Sequence, residues 1–277
     1  HIDGIINWIE SLVSSGVAYS VGHDLYFDVS SAHSFGSISH LSGQEMLALF
    51  AERGGDPTRE GKRSPLDPVL WVSSKPDEPS WTTSFGVGRP GWHIECVAIA
   101  LDHLGGTLSV QGGGRDLIFP HHEMCAAQAV SSRRATSFAT SYMHAGMVSL
   151  DGHKMSKSLG NLVFVSELCA AGTDPMAIRA AILSNHYASD WEWTRASLEG
   201  AVSRLDLWRR ALAMQAGADG LSVLQQIRLS LSQDLNSPAA LAAVDRWADA
   251  TLAGDESDST AQGLVARALD SLLGLAL

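Results

Sequence analysis

The feature that most limits the possible folds is an alternation of helical and strand patterns between residues 91 and 148. An apolar helical pattern over Cys96–Leu104 precedes a strand pattern over Thr107–Gln111, and a helical pattern from about Pro120 precedes a strand pattern over Tyr142–Val148. Helices that alternate with strands are typical of α/β folds, because each helix covers the sheet that the strands form. The sequence therefore predicts an α/β region with a parallel sheet.

The regions on either side of this alternation have different patterns. Upstream, a helix is predicted over Ile2–Val17, a strand over Asp24–Val29 and a second helix from the capping box Ser42–Glu45 through Ala51, whereas Pro57–Pro90 is typical of a long irregular connection. From residue 163 onward the pattern is helical throughout, over Val165–Ala171, Pro175–Ser184, Arg195–Ala216, Leu221–Asp234, Ser237–Leu252 and Thr260–Leu275. These patterns predict an all-α helical bundle after the α/β region.

Charge and cysteine content limit the partners of the chain. It has 30 acidic residues against 19 Lys and Arg, and residues 159–277 contain 14 acidic residues, eight Arg and no Lys. This balance disfavours nucleic-acid binding, because no extended positive field is available to attract a polyanion. Three cysteines and the absence of any run of about 18 apolar residues predict a protein of the reducing cytoplasm that does not enter a membrane.

Soft metal ligands are concentrated in two segments of the α/β region. His121 and Cys125 are four residues apart, so on a helix they share one face, and Cys96 supplies a second thiol. Thiolate and imidazole donors select Zn²⁺, and Trp92 precedes Cys96 by one helical turn, where its indole would cover the thiolate. From spacing alone, the cysteines could equally be small buried core residues and Trp92 a core tryptophan.

Two further segments are suited to binding phosphates. Gly112–Gly114, followed by Arg115 and Asp116, is predicted to form a tight turn whose bare backbone approaches a ligand closely, although such a turn alone is weak evidence. Lys154 and Lys157 flank Met155 and Ser156 in the string KMSKSLGN (residues 154–161), where two ammonium groups can neutralise charge that develops as pyrophosphate leaves.

In this order and spacing, GRPGWHIEC (residues 88–96), GGG-x-D-L-x-FPHHE (112–123) and KMSKSLGN resemble the class I cysteinyl-tRNA synthetases and a related family, the mycothiol-pathway ligases that join cysteine to glucosaminyl-inositol. The segment ERGGDP (residues 52–57) resembles the ligases in particular. The 119 residues after Ser158 also favour the ligases, because they accommodate one helical bundle without an additional anticodon-binding domain. The remaining alternatives are a cysteinyl-tRNA synthetase fragment and an inactive paralogue that binds zinc or nucleotide.

The resemblance implies a fold and a division of the chain. Residues 1–84 are expected to form a connective insertion region, residues 85–162 the second half of a Rossmann-like nucleotide-binding domain, and residues 163–277 the helical bundle. It also implies an upstream segment that carries a HIGH motif and a further zinc-binding cysteine, so that the chain by itself is expected to be inactive.

The resemblance further implies the roles of individual residues. Cysteine binds with its thiolate on one Zn²⁺ held by Cys96 and His121, with Cys125 as a further candidate at a position where the synthetases carry Glu, and Trp92 closes over it. ATP, with Mg²⁺, is expected to contact Gly114, Arg115, Asp116, Val148, Lys154, Met155, Ser156, Lys157 and Ser158, and Lys154 and Lys157 stabilise the transition state. The expected product is an amide between cysteine and the amine of glucosaminyl-inositol, formed by a monomeric enzyme.

Overall fold

The computed structural model describes residues 1–132, 135–157 and 159–277. Their contacts divide the chain into two compact units, residues 1–144 (unit 1) and residues 145–277 (unit 2). The predicted segments 1–84, 85–162 and 163–277 stay a prediction beside this division.

Unit 1 contains a five-stranded antiparallel sheet. Its strands have the spatial order β1-β2-β3-β5-β4 and the bounds Ala18–Val21 (β1), Asp24–Phe27 (β2), Val69–Ser73 (β3), Trp81–Thr83 (β4) and Gly86–Pro90 (β5). The interpretation of residues 57–90 as an irregular connection is therefore wrong, since three of the strands lie there. β4 has only three residues and β5 contains two glycines and a proline, so their strand signal is weak, whereas Val69–Ser73 (VLWVS) carries a strand signal that the sequence analysis missed.

The helices of unit 1 enclose an apolar core on one side of this sheet. Leu25 and Phe27 alternate along β2 with Asp24 and Tyr26, and only the first pair belongs to the core, where α1 and α3 also pack against each other. The bounds of the helices and of a separate two-stranded sheet are Ile2–Ser14 (α1), Gly43–Glu52 (α2), Trp92–Leu104 (α3), Glu123–Ser131 (α4), Leu108–Gly114 (β6) and Ala139–Ala145 (β7).

The glycine-rich segment after β6 differs from the prediction. Gly112–Gly114 belong to the strand itself, and the chain turns only at Arg115–Leu117, in one turn of 3₁₀ helix. The segment Ile118–His122 then leads into α4 with a kink at Phe119, whose backbone is extended (φ −134°, ψ 136°). The predicted turn over Gly112–Asp116 is thus wrong for the three glycines and confirmed for Arg115 and Asp116.

The capping box at Ser42 is confirmed. The Ser42 Oγ accepts a hydrogen bond from the Glu45 amide at 3.4 Å, and the Glu45 carboxylate accepts one from the Ser42 amide at 2.8 Å, at the start of α2. We expect Ser42→Ala to lower the free energy of unfolding by about 1 kcal/mol, because it removes an N-cap acceptor. Urea denaturation would measure this, with the exposed Ser34→Ala as the control; equal stabilities of the two variants would contradict it.

Unit 2 is mainly helical, as predicted. A three-stranded sheet has the order β10-β8-β9, in which β8 pairs parallel with β10 and antiparallel with β9. Buried alanines and the indoles of Trp208 and Trp247 form the helical core. The bounds are Val148–Leu150 (β8), His153–Lys154 (β9), Trp191–Glu192 (β10), Val165–Ala170 (α5), Pro175–Leu183 (α6), Arg195–Leu212 (α7), Gly220–Ser232 (α8), Ser237–Leu252 (α9) and Ala261–Ala268 (α10).

Within the described ranges, none of these helices has the length and apolar character needed to cross a membrane.

Candidate metal and nucleotide site

Three buried side chains with metal-binding atoms converge in unit 1. His93 is the second residue of α3, His121 lies on the kinked segment Ile118–His122 before α4, and Cys125 lies on α4 itself. Their ligand atoms all lie within 4.8 Å of one another. The predicted i, i+4 pair His121 and Cys125 is therefore brought together, with His93 as a third member from another helix.

The three side chains are buried and contact one another. His93 Nδ1 lies 2.9 Å from His121 Nδ1, and His121 Nε2 lies 3.9 Å from Cys125 Sγ. Burial lowers the pKa of His93 to about 3 and that of His121 to about 4, so both imidazoles are neutral at pH 7 and keep a lone pair for a ligand. Burial also raises the pKa of the Cys125 thiol well above its usual value.

The donor set fits a zinc ion with one open position. Two neutral imidazoles and one cysteine provide the nitrogen and sulfur donors that Zn²⁺ prefers, and three protein ligands leave the fourth tetrahedral position for a substrate atom. A buried thiol with a raised pKa becomes a good ligand only when a cation compensates its negative charge, and a divalent ion at this place would do so.

Trp92 lies directly over this group. Its indole stacks on the His121 ring, with centroids 4.1 Å apart and planes inclined by 18°, while 51% of the residue stays exposed. One face of the indole therefore contacts a candidate metal ligand, and the other is open to solvent. The indole thus covers His121 instead of the predicted Cys96, and the closing of Trp92 over a substrate stays a prediction.

Cys96, the first metal ligand predicted from the sequence, stands outside the group of three. It lies one helical turn after His93 on α3, is partly buried against the core, and has a thiol pKa that burial raises. After burial, the Cys96 thiolate is the second cause that raises the pKa of the Cys125 thiol. Its role as a ligand stays a prediction.

Sequence reasoning missed His93. Its partners are 28 and 32 residues away, so no local spacing marks it as part of a metal group. The available signal was its position in GRPGWHIEC, between the predicted substrate-covering Trp92 and the predicted ligand Cys96.

A second pair of histidines adjoins the first. His122 Nδ1 lies 2.7 Å from His144 Nε2, and its Nε2 lies 3.0 Å from the Gln111 side-chain amide. Gly113 makes room for this ring, because a Cβ there would lie 3.0 Å from His122 Cε1. A glycine of the GGG segment is thus needed for close packing of the strand on a histidine.

The residues predicted to bind the adenylate adjoin this strand. Gly114 ends β6, Arg115 is exposed, and the backbone carbonyl of Asp116 accepts a hydrogen bond from Arg53 Nη1 at 2.6 Å. The same Nη1 also donates to the Phe119 carbonyl. Arg53 of the ERGGDP segment therefore fixes the backbone between the predicted adenylate turn and His121.

The lysine loop lies in unit 2. The Asn161 side chain closes it, since its Oδ1 accepts from the Ser156 amide at 2.9 Å and its Nδ2 donates to the Lys154 carbonyl at 3.2 Å. The Val148 carbonyl accepts from the Met155 amide at 3.5 Å, which ties the loop to β8. Lys154 and Lys157 are exposed on this loop, and Ser158 lies outside the described residues.

The sequence of this chain matches a known protein family. Residues 1–203 match the family described as the catalytic domain of class I (C) tRNA synthetases. This chain belongs to that family. The match begins in the predicted connective region, includes the metal group and the lysine loop, and ends in α7, so the predicted fold class is confirmed.

Curated relatives within the family carry the name L-cysteine:1D-myo-inositol 2-amino-2-deoxy-alpha-D-glucopyranoside ligase. The relative from Thermomonospora curvata is 54% identical over 99% of this chain, and that from Streptomyces griseus is 54% identical over all of it. The relative from Frankia alni is 57% identical over 90% of the chain. The chain spans 66%, 68% and 60% of these proteins, respectively. The predicted resemblance to the ligases is confirmed.

Two solved structures share the fold at low sequence identity. A leucyl-tRNA synthetase of Agrobacterium radiobacter, in complex with tRNA, matches 74% of this chain and 35% of its own with a TM-score of 0.53. An arginyl-tRNA synthetase of Campylobacter jejuni matches 99% of this chain and 60% of its own with a TM-score of 0.52. Both are 14% identical to this chain, so they support the synthetase fold and nothing finer.

Proposed function

We propose that the protein containing this chain is an ATP-dependent ligase. It activates cysteine as cysteinyl-AMP and transfers the cysteinyl group to the amine of glucosaminyl-inositol. The observation that carries the proposal is the identity of about 54% to ligases of that name over the whole chain, including the segments that hold His93, His121 and Cys125. The three cysteines, all free, support a reducing cytoplasmic location, and the acidic composition supports a monomeric enzyme without nucleic acid.

The proposed reaction has two steps. In the first, a cysteine carboxylate oxygen attacks the α-phosphorus of Mg²⁺-bound ATP, and the bond to pyrophosphate breaks. In the second, the amine of the acceptor attacks the cysteinyl carbonyl carbon, AMP leaves with the electron pair of the acyl–oxygen bond, and the amine nitrogen loses a proton. An amide results.

The metal group would select the amino acid. A bound Zn²⁺ supplies a soft Lewis acid that prefers the cysteine thiolate to a serine hydroxyl. His93 and His121, with Cys125 or the neighbouring Cys96, would hold the ion, and the stacking of Trp92 on His121 would orient the amino acid beside it. Burial of His93, His121 and Cys125 would keep bulk water away from the metal-binding atoms.

The remaining predicted residues would bind ATP and stabilise the charge that develops. Gly114, Arg115, Asp116 and Val148 would contact the adenylate. Lys154 and Lys157 would direct their ammonium groups at the departing pyrophosphate, together with Met155, Ser156 and Ser158 of the same loop. The side chain of Asn161 supports this role by holding the loop closed.

A competition experiment tests the proposal. The full reading frame that contains this chain is given labelled cysteine, ATP, and two acceptors, glucosaminyl-inositol and tRNA, and the labelled product is identified. We expect label in the amino-sugar conjugate. Label on tRNA would instead identify a cysteinyl-tRNA synthetase, and absence of cysteine-dependent pyrophosphate exchange would identify an inactive paralogue.

The lysine loop provides a second test. We expect Lys157→Ala to slow cysteine-dependent pyrophosphate exchange by about 10²-fold, because a preorganised positive charge near the leaving group is lost. Lys157→Arg keeps the charge and is expected to retain more of the rate. Arg210→Ala, which removes an exposed cation from α7, is the matched control. An exchange rate of Lys157→Ala equal to that of the control would remove Lys157 from the mechanism.

A further inference from the structure

A polar cavity of about 570 Å³ opens on the sheet of unit 1, next to the metal group. Its walls include Asp24 and Tyr26 from the non-core face of β2, the segment Arg53–Arg59, and Trp92 and His93 at the start of α3. The proposed activation of cysteine uses only the Trp92 end of this cavity. The larger part, over the sheet, has no role in it.

The Asp24 carboxylate lies at one end of the cavity, and only one of its two oxygens, Oδ1, is held by Ser73. Asp24 Oδ1 accepts hydrogen bonds from the amide and the hydroxyl of Ser73, both at 2.8 Å, which fix the side chain. Asp24 Oδ2 faces Arg59 Nη2 at a longer distance of 3.4 Å, and Arg59 is about half exposed. This pair presents both an acceptor and several donors, which is what a hydroxyl-rich ligand needs, since each hydroxyl both donates and accepts.

The middle of the cavity carries a second fixed carboxylate. Asp56 accepts a hydrogen bond from the Tyr26 hydroxyl and one from Lys62 Nζ at 2.9 Å, while 43% of its side chain remains exposed. Gly55 is required next to it, because a Cβ there would lie 2.6 Å from the Phe50 ring. The ERGGDP segment thus builds one wall of the cavity through Asp56, and through Arg53 it holds the backbone leading to His121.

The strand register gives the distance between the two ends. Val69, at the start of β3, lies beside Tyr26, and its carbonyl packs against Gly91, the residue before Trp92. Ser73, at the other end of β3, bonds Asp24. The four residue-to-residue steps from Val69 to Ser73 span ~13 Å. The cavity therefore accommodates a ligand of two linked rings, with one ring beside Trp92 and the other beside Asp24 and Arg59.

We propose that this cavity binds the acceptor, a polyhydroxylated amino sugar joined to a cyclitol. The amino-sugar ring lies at the Trp92 end, where its amine reaches the cysteinyl carbonyl, and the cyclitol hydroxyls bond Asp24 and Arg59. The proposal rests on the ligase function above and adds to it the residues that recognise the acceptor. Asp24 pairs with Arg59, Asp56 with Lys62 and Arg89 with Glu78, so both carboxylates of the cavity lie beside cationic donors, an arrangement that suits the hydroxyls of a polyol.

Two conservative variants of the full reading frame test the assignment. Asp24→Asn keeps an oxygen for Ser73 but loses the charge, and Arg59→Gln changes an exposed side chain, so both are expected to fold. We expect each variant to raise the KM for glucosaminyl-inositol at least about tenfold, because a charge-assisted hydrogen bond is lost. The KM for glucosamine, which lacks the cyclitol, should change less than twofold. Asp3→Asn, an exposed aspartate on α1, is the matched control.

Binding measured without catalysis separates this proposal from the proposed function. Saturation-transfer NMR of glucosaminyl-inositol on the parent and on the two variants requires neither ATP nor cysteine. Weaker binding to both variants, with the control unchanged, would support the acceptor site even if no conjugate forms, in which case only the proposed ligase function fails. Parent-like binding and a parent-like KM in both variants would overturn the assignment, as would an equal rise in KM for glucosamine.

Discussion

Replacing His121 with alanine is expected to lower the zinc affinity of the chain by about 10³-fold, because the side chain contributes one of the few donors of the metal group. Zinc sites in small domains bind with roughly 10–16 kcal/mol, so one donor of three or four accounts for about 4 kcal/mol. The two ring nitrogens of His121 also contact one partner each, Nδ1 the His93 ring and Nε2 the Cys125 thiol. Competition with a chromogenic chelator, on the purified chain, measures the affinity directly.

The neighbouring residues supply the controls for this measurement. His122→Ala removes an equally buried imidazole that bonds His144 and Gln111 instead of the metal group, and it should keep the parent affinity within about tenfold, as for a residue that supports the ligands from outside. His93→Asn and Cys96→Ser then identify the remaining donors. Zinc affinity that is lost in Cys96→Ser but kept in His93→Asn would favour the ligand set predicted from sequence over the three residues that converge in the structure.

The metal group illustrates what a sequence can predict and what it cannot. His121 and Cys125 were predicted because four residues on a helix return a side chain to the same face, which is a local rule. His93 was missed because its proximity to His121 depends on how α3 packs beside the turn at 118–122, and nothing in the spacing of 28 residues specifies that packing. The order of the motifs was enough to identify the family, whereas the third candidate ligand, His93, was found only from the packing in the structure.

The same distinction applies to the fold. The Ser42 capping box and the amphipathic helix α1 follow local rules and were predicted correctly. The antiparallel sheet was missed over residues 57–90 because β3 pairs with the distant β2 and because Gly86–Pro90 in β5 contains glycines and a proline, which have weak intrinsic strand preference. This sheet forms the floor of the cavity. The ERGGDP motif alone therefore does not predict the proposed acceptor site.

Glu123 has a buried carboxylate that binds the backbone of one loop of unit 1. It is 1% exposed, and its oxygens accept hydrogen bonds from the amides of Gly36, Ile38 and Ser39 at 2.8, 3.2 and 2.8 Å. Three amides of one loop thus share a single acceptor group two residues after His121. The loop has no strand or helix to satisfy these amides, so the carboxylate replaces the missing backbone partners.

We therefore expect Glu123→Ala to lower the free energy of unfolding by about 4 kcal/mol, because it leaves three partly buried amides without their charged acceptor. Urea denaturation measures the loss, and Glu52→Ala, at the exposed end of α2, is the matched control. Hydrogen exchange gives a more specific result: the Gly36, Ile38 and Ser39 amides should lose protection while the helical amides of unit 2 keep theirs. A Glu123→Ala variant as stable as the control, with these amides still protected, would mean that the loop is held by its own packing instead.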